Sequence, residues 1–154
     1  NYPKRASMRK LVGLCKSTLS DVNNKQEIIA LIDRYNVEMD SNHVDEIVEQ
    51  LPIVMEKCKS NLDVIDFDDM PWLPVVLNMK CEKFDYLFVD EFQDTNYAQN
   101  ELAIMLSGDD RNITVVADDD QSIYRFRGAA VSNVLQFKKN FPDAKIVTLS
   151  YHRV

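Results

Sequence analysis

Phe84-Asp-Tyr-Leu-Phe-Val-Asp-Glu-Phe-Gln-Asp-Thr-Asn96 is an apolar run that ends abruptly in the acids Asp90 and Glu91. A second junction of the same kind follows at Ile113-Thr-Val-Val-Ala-Asp-Asp-Asp-Gln-Ser-Ile-Tyr-Arg-Phe-Arg-Gly-Ala129. Two such junctions predict two parallel strands whose C-terminal ends meet at one polar site. In open α/β sheets that edge is where ligands bind, and acids placed there suit a magnesium–nucleotide complex.

The flanking pattern fits that frame. A strand over Tyr86–Val89, a helix over about Tyr97–Leu106, a strand over Ile113–Ala117, a helix over about Ala129–Asn140 and a strand over Lys145–Leu149 alternate in sequence. This order predicts a parallel sheet covered on both faces by helices. Upstream the periodicity is helical throughout. Met8, Leu11, Val12, Cys15 and Leu19 mark a helix over about Ser7–Leu19, and Ile28, Ile29 and Ile32 mark one over Lys25–Tyr35. A third runs from near Asp40 to Lys59, where Pro52 is expected to kink or divide it. Pro71 and Pro74 open a short helix that leads back into the α/β part. The expected organisation is therefore an all-helical segment over 1–62 and an α/β segment over 63–154.

Composition narrows the class further. With 154 residues, 45% hydrophobic and 28% charged, the chain has the make-up of an ordinary globular domain. No apolar run approaches a membrane span and no signal peptide is legible, so an intracellular, cytoplasmic protein is expected. Cys15, Cys58 and Cys81 have no paired metal-ligand spacing, and only His43 and His152 offer imidazole, which argues against a zinc site. The net charge is −7. Lys4, Arg5, Arg9, Lys10 and Lys16 nevertheless precede the first acid, forming either a solvated helix face or a contact for nucleic-acid phosphates.

At the first junction Asp90 can reach a magnesium ion, and Glu91 can orient or deprotonate a water beside a terminal phosphate. Phosphoryl transfer needs that division of labour. The plainer alternative is that both acids cap the helix that follows.

The motif context favours the first alternative. Asp90-Glu-Phe-Gln-Asp-Thr-Asn96 and Asp118-Asp-Asp-Gln-Ser-Ile-Tyr-Arg-Phe-Arg-Gly-Ala129 resemble, in order and spacing, two signature motifs of the superfamily 1 DNA helicases of the UvrD/Rep/PcrA type. Asp66-Phe-Asp-Asp-Met70 resembles a further segment of that family. The likeness spans about Asp66 to Arg153; the helical front resembles the family's helical insertion more loosely. It implies that 63–154 is the C-terminal half of a first RecA-like P-loop NTPase domain. It also implies ATP and Mg2+ as cofactors and translocation along single-stranded DNA in the 3′-to-5′ sense, with single-strand/duplex junctions as substrates.

By position, the resemblance makes Asp90 the magnesium-binding Walker B acid and Glu91 the catalytic base. Gln121 becomes the γ-phosphate sensor; its amide can both donate and accept. Tyr124 and Phe126 become stacking platforms for single-stranded DNA, supported by Arg127. Without the flanking motif these aromatics would read as core. Arg153 corresponds to the arginine of the next motif, which reaches the γ-phosphate. There the sequence departs from the family: Tyr151 replaces an asparagine, and the run after Leu149 is one residue shorter. Ala117 also replaces a glycine that commonly precedes the acid run.

A helicase of this kind needs a Gly-x-x-x-x-Gly-Lys-Ser/Thr loop. Gly13-Leu-Cys-Lys-Ser-Thr18 is a decoy: Cys15 occupies the place of the second glycine, no strand precedes it, and the stretch reads as helix. The chain is thus expected to be an internal piece of a larger motor. Its partners would be the P-loop half and the second RecA-like domain, and it would be inactive alone. Two other classes stay open, a non-catalytic helicase-like module that binds DNA or protein, and a metal-dependent nuclease built on Asp90, Glu91, Asp94 and Asp118–Asp120.

Overall fold

Apolar residues at helical spacing set the first three elements. In the computed structural model, which describes residues 2–118 and 133–148, helix α1 runs over Tyr2–Thr18, α2 over Lys25–Arg34 and α3 over Val44–Ser60. They bury Leu11, Leu14 and Cys15, Ile28 and Leu31, and Ile47, Leu51 and Met55 against one another. Helix α1 begins five residues earlier than its periodicity indicated, because no apolar stripe marks its polar first turns.

Pro52 neither breaks nor divides α3, which stays one helix from Val44 to Ser60. An interior proline costs about 3 kcal/mol. Burial of Ile47, Val48 and Leu51 before it and Met55 after it, on one stripe, offsets that cost.

With only three glycines, the chain ends its helices on other residues. Leu19, Asn36 and Asn78 adopt φ of 56°, 46° and 46°. In each case the following amide reaches back to the carbonyl five residues before it: Ser20 to Cys15, Val37 to Ile32 and Met79 to Pro74. These are Schellman closures, in which asparagine tolerates the left-handed backbone far better than leucine does.

Helix α4, Asp69–Val76, buries Trp72 and Leu73, and helix α5, Tyr97–Leu106, adds Ala98 to the same cluster. One apolar core therefore crosses position 62. Strands β1, Leu87–Val89, and β2, Ile113–Val115, flank α5 in sequence and pair in parallel, with Leu87 opposite Ile113 and Val89 opposite Val115. Helix α6, Asn133–Asn140, follows, and the Phe137 ring meets Phe92 edge-on at 5.4 Å between centroids.

The result is a helix-rich α/β fold with a small two-stranded parallel sheet. Two expectations fail here. Residues 145–148 form no strand, and Ile146 and Val147 lie exposed; a parallel strand forms only against a partner edge, and among the described residues none reaches them. Nor is the sheet covered on both faces, since Phe88 is 73% exposed. Among the described residues no helix is long and apolar enough to cross a membrane.

Candidate nucleotide site

The parallel register brings the two strand tips together. Beyond the paired residues the strands stay zipped: Val116 N–H donates to Val89 C=O, and Phe92 N–H donates back to Val116 C=O, each at 2.9 Å. Asp90 and Glu91 leave β1 at the same edge where residues 116–118 leave β2. The expected meeting of the two parallel strand tips is observed as far as Asp118.

Neither acid caps a helix. Asn96 caps α5, accepting from Gln99 N–H while Gln99 returns a bond to Asn96 N–H, a reciprocal capping box. Glu91 precedes a single 3-10 turn over Phe92–Asp94 but makes no side-chain cap bond to it. Asp90 and Glu91 are instead exposed at the tip, with Asp90 Oδ1 accepting from Glu91 N–H at 3.0 Å.

Glu91 carries the strain of this turn. Its backbone sits at φ 49°, ψ 41°, a left-handed conformation that costs a non-glycine residue roughly 1–2 kcal/mol. Such strain persists only where neighbours over-determine it, and it gathers at functional sites. Here the neighbour is Gln93, which is 2% exposed. Gln93 Nε2 donates to Glu91 Oε2 at 2.6 Å, and Gln93 Oε1 accepts from the Asp118 N–H at 2.9 Å. The amide thus bridges the carboxylate after β1 to the backbone after β2. Sequence reasoning quoted Gln93 within its motif but gave it no role. The available signal was a neutral amide held between acids in a half-buried run.

A magnesium ion would fit the tip. Such ions take one or two carboxylates, complete their shell with phosphate and water, and need no all-protein cage. The exposed Asp90 carboxylate meets that requirement. Among the described residues no three acidic, histidine or cysteine side chains cluster to hold a metal by themselves. Asp94 lies one turn away, half-buried, and its Oδ1 has no hydrogen-bond partner among the described residues. Gln121, Tyr124, Phe126, Arg127 and Arg153, together with Asp119 and Asp120, lie outside the described residues.

The Gly13–Thr18 decoy resolves clearly. It lies wholly inside α1, and Lys16 is buried, 1% exposed, with Nζ 2.8 Å from both Asp66 Oδ2 and Asp69 Oδ1 and over the Trp72 ring. Burial alone would lower the pKa of this ammonium; ion pairing with the two aspartates outweighs that and raises it. The same aspartates exchange bonds across the entry to α4, Asp69 N–H to Asp66 Oδ1 and Asp66 N–H to Asp69 Oδ2. The Asp66–Met70 segment is thus a clasp that fastens α4 to α1. An alanine at Gly13 would place its Cβ 2.9 Å from Asp68 Oδ2, so the bare glycine lets the clasp approach.

Residues 2–142 match the family described as the UvrD/REP helicase N-terminal domain. The chain belongs to this family. ATP-dependent DNA helicase PcrA of Bacillus subtilis is 33% identical over 96% of the chain. ATP-dependent DNA helicase Rep of Buchnera aphidicola (subspecies Schizaphis graminum) is 43% identical over 62% of it, and PcrA of Staphylococcus aureus strain Mu50 is 42% identical over 58%. The chain spans 20%, 16% and 13% of those UvrD/REP relatives' own lengths, respectively.

Proposed function

We propose that this chain is the Walker B portion of an ATP-dependent DNA helicase, acting within a longer polypeptide that supplies the phosphate-binding loop and a second RecA-like domain. Residues 63–154 would be the later half of the first RecA-like domain, and residues 1–62 part of a helical insertion. The observation that carries the reading is the shared strand tip, where the exposed Asp90 and Glu91, with no cation beside them among the described residues, stand next to the backbone of the second acidic junction. Kinship with PcrA and Rep, named as ATP-dependent DNA helicases, supports it.

In this reading Asp90 holds Mg2+, which neutralises phosphate charge, and Glu91 accepts the proton of the attacking water. Gln121 and Arg153 contact the terminal phosphate. Tyr124, Phe126 and Arg127 grip single-stranded DNA, and translocation runs 3′ to 5′ towards single-strand/duplex junctions.

The test is Glu91→Gln in the full-length protein. Loss of a general base lowers turnover by roughly 10²–10⁴-fold. ATP binding should persist, because Asp90 remains. DNA-stimulated hydrolysis at the wild-type rate would remove Glu91 from the chemistry. Separately, Phe126→Ala should weaken binding to an oligothymidine by roughly 1–3 kcal/mol, read by fluorescence anisotropy; unchanged affinity would return Phe126 to a packing role.

A further inference from the structure

The bridge through Gln93 does more than fill space. A buried side-chain amide has two donors and an acceptor to satisfy, and its two ends are usually interchangeable. Here they are not. Turning the amide over would set its oxygen against the Glu91 carboxylate and an N–H against the Asp118 N–H, two repulsive contacts in place of two bonds at 2.6 and 2.9 Å. Both partners therefore fix one orientation, and Gln93 in turn fixes them. Its immobility comes from the fold: Phe92 beside it is 3% exposed and stacked edge-on against Phe137, and Phe92 N–H is tied to Val116 C=O. Glu91 is the exposed member, a side chain on a strained residue that, among the described residues, pairs with no cation.

We propose that Gln93 is a positioning residue for hydrolysis: it holds the Glu91 carboxylate in one rotamer and locks it to the backbone after β2. Displacement of the second junction is thereby felt at the base. This rests on the reading of Glu91 given above. It assigns Gln93 no contact with nucleotide. One carboxylate oxygen of Glu91 is engaged by the amide, and the other is left to face a water. An unconstrained glutamate would sample several rotamers, and loss of orientation alone costs catalysis.

The test uses the full-length protein, with ATP and a single-stranded oligonucleotide. Gln93→Met keeps the side chain's length and removes both bonds. It should lower kcat for ATP hydrolysis roughly 10- to 100-fold, the size of effect seen when an orienting partner is lost, with KM for ATP held within about twofold. Gln93→Glu keeps an acceptor for Asp118 N–H but sets a carboxylate against Glu91, and should lower kcat as well. It serves if the methionine variant melts early. In a Glu91→Gln background neither change should reduce the residual rate further, because the path runs through Glu91.

An unchanged kcat, with or without a rise in KM for ATP, would overturn the proposal, as would an equal further loss in the Glu91→Gln background. Wild-type hydrolysis by Glu91→Gln alone would instead overturn the nucleotide-site reading beneath it. That outcome is separate from a failure of Gln93.

Discussion

Two carboxylate groupings in this molecule look alike in sequence and behave oppositely in the fold. At the entry to α4, Asp66 and Asp69 share the ammonium of Lys16, whose charge is withdrawn from water. At the tip of β1, Asp90 and Glu91 stay exposed and, among the described residues, meet only a neutral amide and a backbone N–H. The first grouping has spent its charge on holding helices together. The second keeps its charge for something from outside. A Gly-x-x-Lys-Ser-Thr string and an Asp-Glu pair each suggest phosphate chemistry on paper; among the described residues only the second is left without a cation, as the proposed function requires.

The sharpest way to break this contrast is Lys16→Met. Removing the cation strands a buried Asp69, and breaking one side of a buried pair costs roughly 3–5 kcal/mol. Thermal or urea unfolding should register that loss, while Glu91→Gln should leave the melting temperature within about 2 °C, because its carboxylate closes no ion pair among the described residues. Equal stability for Lys16→Met and wild type would mean that the clasp contributes nothing to the fold.

Acid should loosen the same clasp more gently. Burial tends to raise the Asp66 carboxyl, but its bond to Lys16 prevails and holds it below the usual carboxylate range. A depressed folded-state value adds stability above the unfolded pKa, about 3.9, and that stability drains away as pH falls through the lower folded value. Lys16, shifted upward, loses its share only at the alkaline end, as pH rises through its folded value. The stability gap between wild type and Asp66→Asn should therefore be flat through neutrality and close below roughly pH 4. Because the Asp66 side chain is 60% exposed, the gap should be about 1 kcal/mol or less and shrink in high salt. A gap that persists at pH 2 would exclude the ionic origin.

The smallest effect belongs to Gly13→Ala. Alanine gains about 1 kcal/mol of helix propensity, and the terminal oxygen of Asp68 must give way to the new methyl. The two nearly cancel, so chemical denaturation should find a net change under about 1 kcal/mol. A larger loss would show that Asp68 has no room to retreat.

Local signals made much of this legible. Helix α5 has the bounds Tyr97–Leu106 that its pattern indicated, since Asn96 and Gln99 write its start in adjacent letters. The meeting of the strand tips followed from two apolar runs ending in acids. What could not be read depends on distance. Lys16 and Asp66 are 50 residues apart, so nothing near Lys16 announces its burial. Pro52 carried a correct local penalty that packing overrode. Lys145–Leu149 has the composition of a strand, yet composition cannot supply the neighbour that a strand requires. Gln93 was hidden because an amide between acids is unremarkable until both of its partners are placed.

The bare sheet has a practical consequence. Two parallel strands with Phe88 turned to solvent, and Ile146 and Val147 exposed further along the chain, offer sheet-edge backbone and greasy surface, the combination that templates aggregation. This polypeptide, produced by itself, should be a sticky sample that precipitates on concentration. Mild detergent or a fused covering segment should keep it dispersed.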